Sequence, residues 1–376
     1  MKHNVYKVLR FFTGLFFSVA LTAGVFSCSN STGSSSEEAE TGYLSFSSGR
    51  AMSDYGLSVS DLTNLVLVGS WKGGSLQTLG QWTTVNELNG CMLEVKTGSW
   101  KYALVANCSG TTNVYGDIKT VDIIAGQANS VRFDMKWVYA PISTANANIG
   151  DVVMEYNGSS YCTAVSCYVE SKALFDLLGV VPEAVVFYKG GSTAIGTNRV
   201  LAVNLKNSSG DATKYQWASS GNGYTSDFPL LKCLRLETEP ASGSYYSYTY
   251  NYTNFYLTGD FDGSDNWGGI CAADSSALAN SAICYPAFNY VFTTLGSDYY
   301  IPTYAEIEEL AKNYSAVNTS IAAVGGTQLA AGAYWTSSQS DAVTNVWNVN
   351  LKPSDVDGGT VPKTDLKFTC GIRSFN

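Results

Sequence analysis

The chain has 376 residues, with 22 Lys and Arg against 31 Asp and Glu, and a single His. That acidic balance excludes non-specific binding to nucleic acid or anionic lipid heads, both of which need a basic surface. Aromatic residues make up 13%, charged residues only 14%, and Tyr reaches 25, a composition of β-strands and polar loops rather than of helical bundles.

Lys2, Lys7 and Arg10 precede an apolar run from Phe11 to Phe26. The run is shorter than the roughly 20 residues a membrane-spanning helix needs, so it reads as a secretory leader. Val25-Phe26-Ser27-Cys28 then resembles a lipobox of the looser kind found in spirochaete and Bacteroidetes lipoproteins, with the lipid on Cys28. Residues 29–41 are small, polar and acidic, and suit a flexible tether. The expectation is a leader over 1–27, a tether over 28–42, and a lipid-anchored protein of the cell envelope, at the outer membrane and exposed on the surface. Past the leader, 19 basic residues face 31 acidic ones, a net charge of −12.

The lone His3 lies in the leader, so the mature chain has no imidazole. Ser-His-Asp and Cys-His catalysis need that base, and zinc enzymes nearly always use a His ligand. Beyond Cys28, eight cysteines remain and no C-x-x-C spacing occurs. Cys91 and Cys108 flank a predicted hairpin turning at Thr97-Gly98-Ser99 and are the favoured disulfide; Cys271 with Cys284 is a second candidate. Buried thiols are the alternative.

Residues 43–137 read as short strands: 43–47, 62–71, 91–95, 100–108, 117–123 and 130–137. Trp100, Tyr102, Leu104 and Ala106 share one face by alternation. The spacing suggests a β-sandwich, and the stretch resembles the amino-terminal modules of surface lipoproteins and fimbrillin-like proteins. Residues 138–150, with Pro141 and an Ala/Asn-rich run, read as a linker. Beyond it, strands are expected over 185–190, 199–205, 334–340, 345–351 and 368–375, and helices over 171–178 and 303–314. Thr303 and Glu306 form a capping box for the second helix, with Pro302 at its boundary.

In this order the chain carries VVFYKGGSTAIGTNRVLAVNL, GDFDGSDNWGG, CYPAFNYV, YYIPTYAEIEEL, VGGTQLAAGAYWTSSQ, VWNVNL and CGIRSF. The succession, over residues 151–376, resembles the Lcl C-terminal domain family. The resemblance implies a C-type-lectin-like fold, distantly related to formylglycine-generating enzymes, and adhesion-type roles. The expected fold class is therefore mainly β with some α: an N-terminal β-sandwich over 43–137, then an α+β lectin-like domain over 151–376. Pro302, Thr303 and Glu306 match the family's helix start. Tyr334, Trp335, Ser337 and Ser338 match its aromatic-serine strand, and Arg373 and Phe375 its terminus. Their expected role is structural: Trp335 packs against the helix and Arg373 holds a buried carbonyl or carboxylate. Glycosaminoglycan binding, found in some members, needs a basic patch; here Lys352, Lys363 and Lys367 are scattered among Asp355, Asp357 and Asp365.

Asp260, Asp262 and Asp265 stand within six residues, as a calcium loop or as a polar turn. Tyr246, Tyr248, Tyr250 and Tyr252 would line one face of a strand, free for sugar or protein contacts or packed on their own domain. The segment 339–350, with Asn345, Trp347, Asn348 and Asn350, is the preferred binding surface. Glu306, Glu308 and Glu309 share one helix and make no convincing acid pair. The expectation is a non-enzymatic head without cofactor or metal that binds a protein or neutral glycan and no nucleic acid. A structural envelope protein without a ligand, and an enzyme working by carboxylates alone, are the alternatives.

Overall fold

The computed structural model describes residues 40–48, 58–109, 113–156, 158–221, 223–352 and 357–375. The leader, Cys28 and nearly all of the tether lie outside them. Glu40–Asn376 forms one compact unit, and the protein is mainly β, with 43% strand and 23% helix.

The first strands are β1 (Thr41–Ser48), β2 (Leu62–Trp71), β3 (Gln77–Thr84), β4 (Met92–Lys96), β5 (Gly98–Cys108), β6 (Val114–Ile123), β7 (Ala128–Phe133) and β8 (Lys136–Pro141), with a short helix α1 (Val85–Asn89) after β3. Strands β4-β1-β7 form one sheet, while β3-β2-β5-β6 belong to a larger one. Leu44 and Phe46 of the first sheet share a core with Leu65, Leu67, Trp100, Tyr102 and Leu104 of the second. The alternation that puts Trp100, Tyr102, Leu104 and Ala106 on one face thus buries all four.

The expected hairpin between β4 and β5 is instead a corner between sheets. The chain crosses at Gly98, whose φ of 109° lies in the region favouring glycine; β4 then pairs with β1, and β5 with β2 and β6. This separates the favoured cysteine pair: no disulfide joins Cys91 to Cys108, nor any other described cysteine.

The linker expected over 138–150 begins inside β8. Val138, Tyr139 and Ala140 are buried, and β8 bonds β6 on one side and β10 (Ser159–Thr163) on the other. The sheet therefore continues through β9 (Val152–Tyr156), β11 (Pro182–Lys189), β12 (Val200–Asn207) and β19 (Cys370–Phe375), ten strands in all. Helices α2 (Val165–Glu170) and α3 (Lys172–Leu178) cover its middle with Tyr168, Leu174 and Phe175.

Strands β11 and β12 are buried on both faces, which explains their nearly unbroken apolar runs. Val185, Phe187, Leu201 and Val203 face α8 (Tyr304–Lys312) and α9 (Tyr314–Ala323). Ala184, Val186, Val200 and Ala202 face a second core with α4 (Asn266–Ala273), α5 (Ser276–Ala279), α6 (Ser281–Cys284) and α7 (Pro286–Tyr290). Two three-stranded sheets complete the molecule: β13 (Cys233–Leu236), β14 (Tyr246–Tyr250) and β15 (Thr253–Gly259) in the order β13-β15-β14, and β16 (Gly332–Gln339), β17 (Asn345–Leu351) and β18 (Asp357–Pro362) in the order β16-β17-β18.

Candidate functional site

The capping box forms as the sequence predicts: Thr303 Oγ1 accepts from the Glu306 N–H, and Glu306 Oε2 accepts from the Thr303 N–H at 2.8 Å. Glu306 then does more than cap. Its Oε1 accepts from Arg199 Nη2 at 2.9 Å and from the Tyr300 hydroxyl at 3.0 Å, and Oε2 accepts from the Gly263 N–H at 3.2 Å. Burial pushes this carboxyl up, to about 7, against the pull of Arg199 and the Thr303 N–H toward the anion. Arg199, which directly precedes β12, also donates to Asp262 at 2.9 Å, so one buried guanidinium ties the start of that strand to α8 and the 260–265 turn.

The acidic turn is therefore engaged by protein donors. Asp262 also accepts from the Ser264 N–H, and Asp260 accepts from Asn266 Nδ2 at 2.6 Å. Asp265 opens α4 without a side-chain capping bond. Among the described residues no three His, Cys, Asp or Glu side chains gather as metal ligands.

The aromatic-serine strand works as an internal acceptor rail. Thr336, Ser337, Ser338 and Gln339 are fully buried: Ser337 takes Asn266 Nδ2, Ser338 takes the Tyr304 N–H, and Gln339 Oε1 takes the Phe228 N–H. Trp335 departs from expectation. It lies in the core of α4 and α7 rather than against α8, and its indole N–H reaches Tyr215 O at 2.6 Å, because the strand alternation turns it to the opposite side from Tyr334. Tyr334 is fully buried and Phe375 is 9% exposed. Pro302 O accepts from the Ser337 N–H. Arg373 holds Glu155 at 2.5 Å, but that carboxylate is 38% exposed. Lys363, one of three basic residues scattered among aspartates in the sequence, is fully buried between Trp217 and Phe228; its amine, pushed down to about 7 by burial, donates to Ser226 O at 2.7 Å.

The tyrosine row faces inward. Tyr246 and Tyr248 are buried, Tyr250 packs beside them, and Tyr252 sits in the turn with a φ of 62° and is fully exposed. Tyr248 shares a 2.8 Å hydrogen bond with the Tyr304 hydroxyl. The serine and threonine side of the hairpin, not its tyrosine side, meets solvent because α8 supplies the apolar surface that the rings cover.

The preferred segment is placed in two ways. Asn348 is buried and donates to Gly359 O, and Asn350 is half-buried in the middle strand of its sheet. Asn345 and Trp347, by contrast, line a groove of about 470 Å³ with Cys233, Leu234, Arg235, Leu236, Ser340, Asp341, Ala342 and Thr360. The groove lies where β13 meets β17: the Trp347 indole N–H donates to Cys233 O at 2.7 Å. Arg235 stands over the rings of Phe255 and Trp347, at 4.9 and 5.4 Å, and donates to Gly358 O at 3.1 Å. Such stacking braces the guanidinium, which also interacts with the Tyr248 and Tyr304 hydroxyls. Sequence reasoning missed Arg235 because the four-residue strand carrying it shows too little alternation to be read.

Glu308 lies behind this wall. It is fully buried and neither carboxylate oxygen has a hydrogen-bond partner. Burial pushes its carboxyl up to about 8, against Lys312, the Tyr304 hydroxyl and Arg235. Burial thus favours the protonated acid, which lowers the cost of placing a carboxyl in a core.

No protein-family model matches the chain, and no curated protein matches it. Among the described residues no helix is long and apolar enough to cross a membrane.

Proposed function

We propose that this chain is an exported lipoprotein, held at the cell envelope by a lipid on Cys28, that displays a non-enzymatic, adhesin-type head for a protein or glycan partner. The leader and the Cys28 motif support the anchor, and the order of motifs over 151–376 supports a lectin-like head. The observation that carries the binding reading is the groove in which Asn345 and Trp347 meet a braced Arg235. It combines a concave apolar floor with a few convergent polar groups, the usual make-up of a recognition site.

Two measurements test it. Growth with radiolabelled fatty acid should label the chain, and Cys28→Ser should remove the label; an unlabelled wild type overturns the anchor. On an array of glycans and matrix proteins, the purified chain should give hits that Arg235→Gln and Asn345→Ala weaken. Hits that both variants leave unchanged overturn the groove as the contact surface, and a blank array favours the structural envelope role.

A further inference from the structure

The turn that leads into β9 is pinned against β11. The Gly150 N–H donates to Val186 O at 2.8 Å, and the Val186 N–H donates to Asp151 O at 2.9 Å. Within the turn, the Asp151 N–H donates to Asn148 O at 3.0 Å, and the Asn148 N–H donates to Asp151 Oδ2 at 2.8 Å. Lys189, the last residue of β11, reaches back over this turn. Its Nζ donates to Ala147 O at 2.8 Å and stands 3.3 Å from Asn148 Oδ1. The Asn148 side-chain amide is in turn hydrogen-bonded to the Asp151 carboxyl. An amine, a carboxamide and a carboxyl thus stand in succession on a hydrogen-bonded frame.

The surroundings of each group suit an aminolysis. Ala147 O holds the amine beside the amide, and holding reacting groups about 3–3.5 Å apart removes much of the entropic barrier to their union. Asp151 is only 6% exposed. Burial pushes its carboxyl up, against the Asn148 hydrogen bonds and the Lys189 charge. A carboxyl inclined to hold a proton can pass one to a leaving group. Asn148 is exposed, so a small leaving group escapes into solvent.

We propose that Lys189 and Asn148 join in an intramolecular isopeptide bond, with Asp151 as the proton carrier. The Lys189 ammonium first loses one proton to water. The neutral amine then attacks Cγ of Asn148, and the Nζ–Cγ bond forms. Asp151 accepts a proton from Nζ and delivers one to Nδ2; the Cγ–Nδ2 bond breaks and ammonia leaves. Nothing is oxidised or reduced, and the products are a secondary amide and ammonia. The bond closes residues 148–189 into a loop, a covalent brace in a fold whose described cysteines form no disulfide. It is independent of what the groove binds.

The test is tryptic mapping of the full chain by tandem mass spectrometry. Trypsin should fail to cut after Lys189, and a branched peptide joining Lys189 to Asn148 should appear, lighter than the sum of its parts by one ammonia. Lys189→Arg and Asn148→Ala should each restore separate peptides. Asp151→Asn, with a wild-type circular dichroism spectrum, should slow linkage by at least about a hundredfold, the usual share of one general acid–base group. Separate peptides from the wild-type chain overturn the proposal, as does ammonia lost from Asn148 while Lys189 stays free. A bond that forms equally fast in Asp151→Asn overturns the part given to Asp151. If that variant does not fold, the wild-type map still decides whether the bond exists.

Discussion

The Tyr304 ring lies flat on the Trp347 indole, with centroids 4.7 Å apart and planes 7° from parallel. The first residue of α8 is thereby joined to the middle strand of the closing sheet, and Trp347 in turn reaches across to the Cys233 carbonyl. One aromatic pair thus sets the groove floor between three elements drawn from distant parts of the sequence.

Trp347→Ala should lower stability by about 3–5 kcal/mol, the usual cost of removing a buried large aromatic. Trp347 is only 7% exposed and donates a buried hydrogen bond, so the loss combines a cavity with an unpaired carbonyl. Trp347→Phe should recover part of it by keeping the stack. Urea unfolding measures both, and a loss below about 1 kcal/mol for alanine would show that the indole does not brace the groove.

Glu308→Gln should change how stability depends on pH. The unfolded carboxyl ionises near 4.5 and the folded one near 8. Between those values the folded state holds one proton more, so Glu308 contributes its full stability below 4.5 and loses it as pH rises through about 8. The wild type should therefore weaken relative to the glutamine variant by on the order of 4 kcal/mol between about pH 5 and pH 9. Lys363, with an amine pushed down from 10.5 to about 7, acts with the opposite sign above pH 7, but it is common to both proteins and cancels in the difference. A difference between the two that does not vary with pH would mean that Glu308 is ionised in the fold.

Arg199→Met should cost about 3–5 kcal/mol, because it strands the buried Glu306 carboxylate and frees Asp262. Adding Glu306→Gln should return part of the loss, since a neutral amide no longer needs the cation. Thermal unfolding of the two single variants and the double variant gives the coupling directly. Additive effects of the two substitutions would break the proposed link.

Local patterns were legible where a strong rule acts over a few residues. Strands β2 and β17 match their expected spans residue for residue, because Val, Leu and Trp recur through both at spacings that suit a strand. The Thr303–Glu306 box likewise depends on atoms three residues apart. Strand β3 and helices α4 to α7 escaped notice, since their small and polar residues carry weak periodicity. The same limit applies to the site: Asn345 and Trp347 were readable in a clear strand, whereas Arg235 was hidden in a four-residue one.

By itself the sequence determined the β-rich class and the absence of any imidazole beyond His3, properties that follow from residue types alone. It also determined the cap of α8, a short-range pattern of bonding. Tertiary structure alone decided that one ten-stranded sheet runs through the expected linker and that Cys91 and Cys108 stay apart. It also decided that the tyrosine row turns inward and that Arg199 and Arg235 find their places. The physical reason is that alternation tells which side chains share a face but not what covers that face. The covering surface comes from residues far away in the chain, and it decides which faces become core and which become groove.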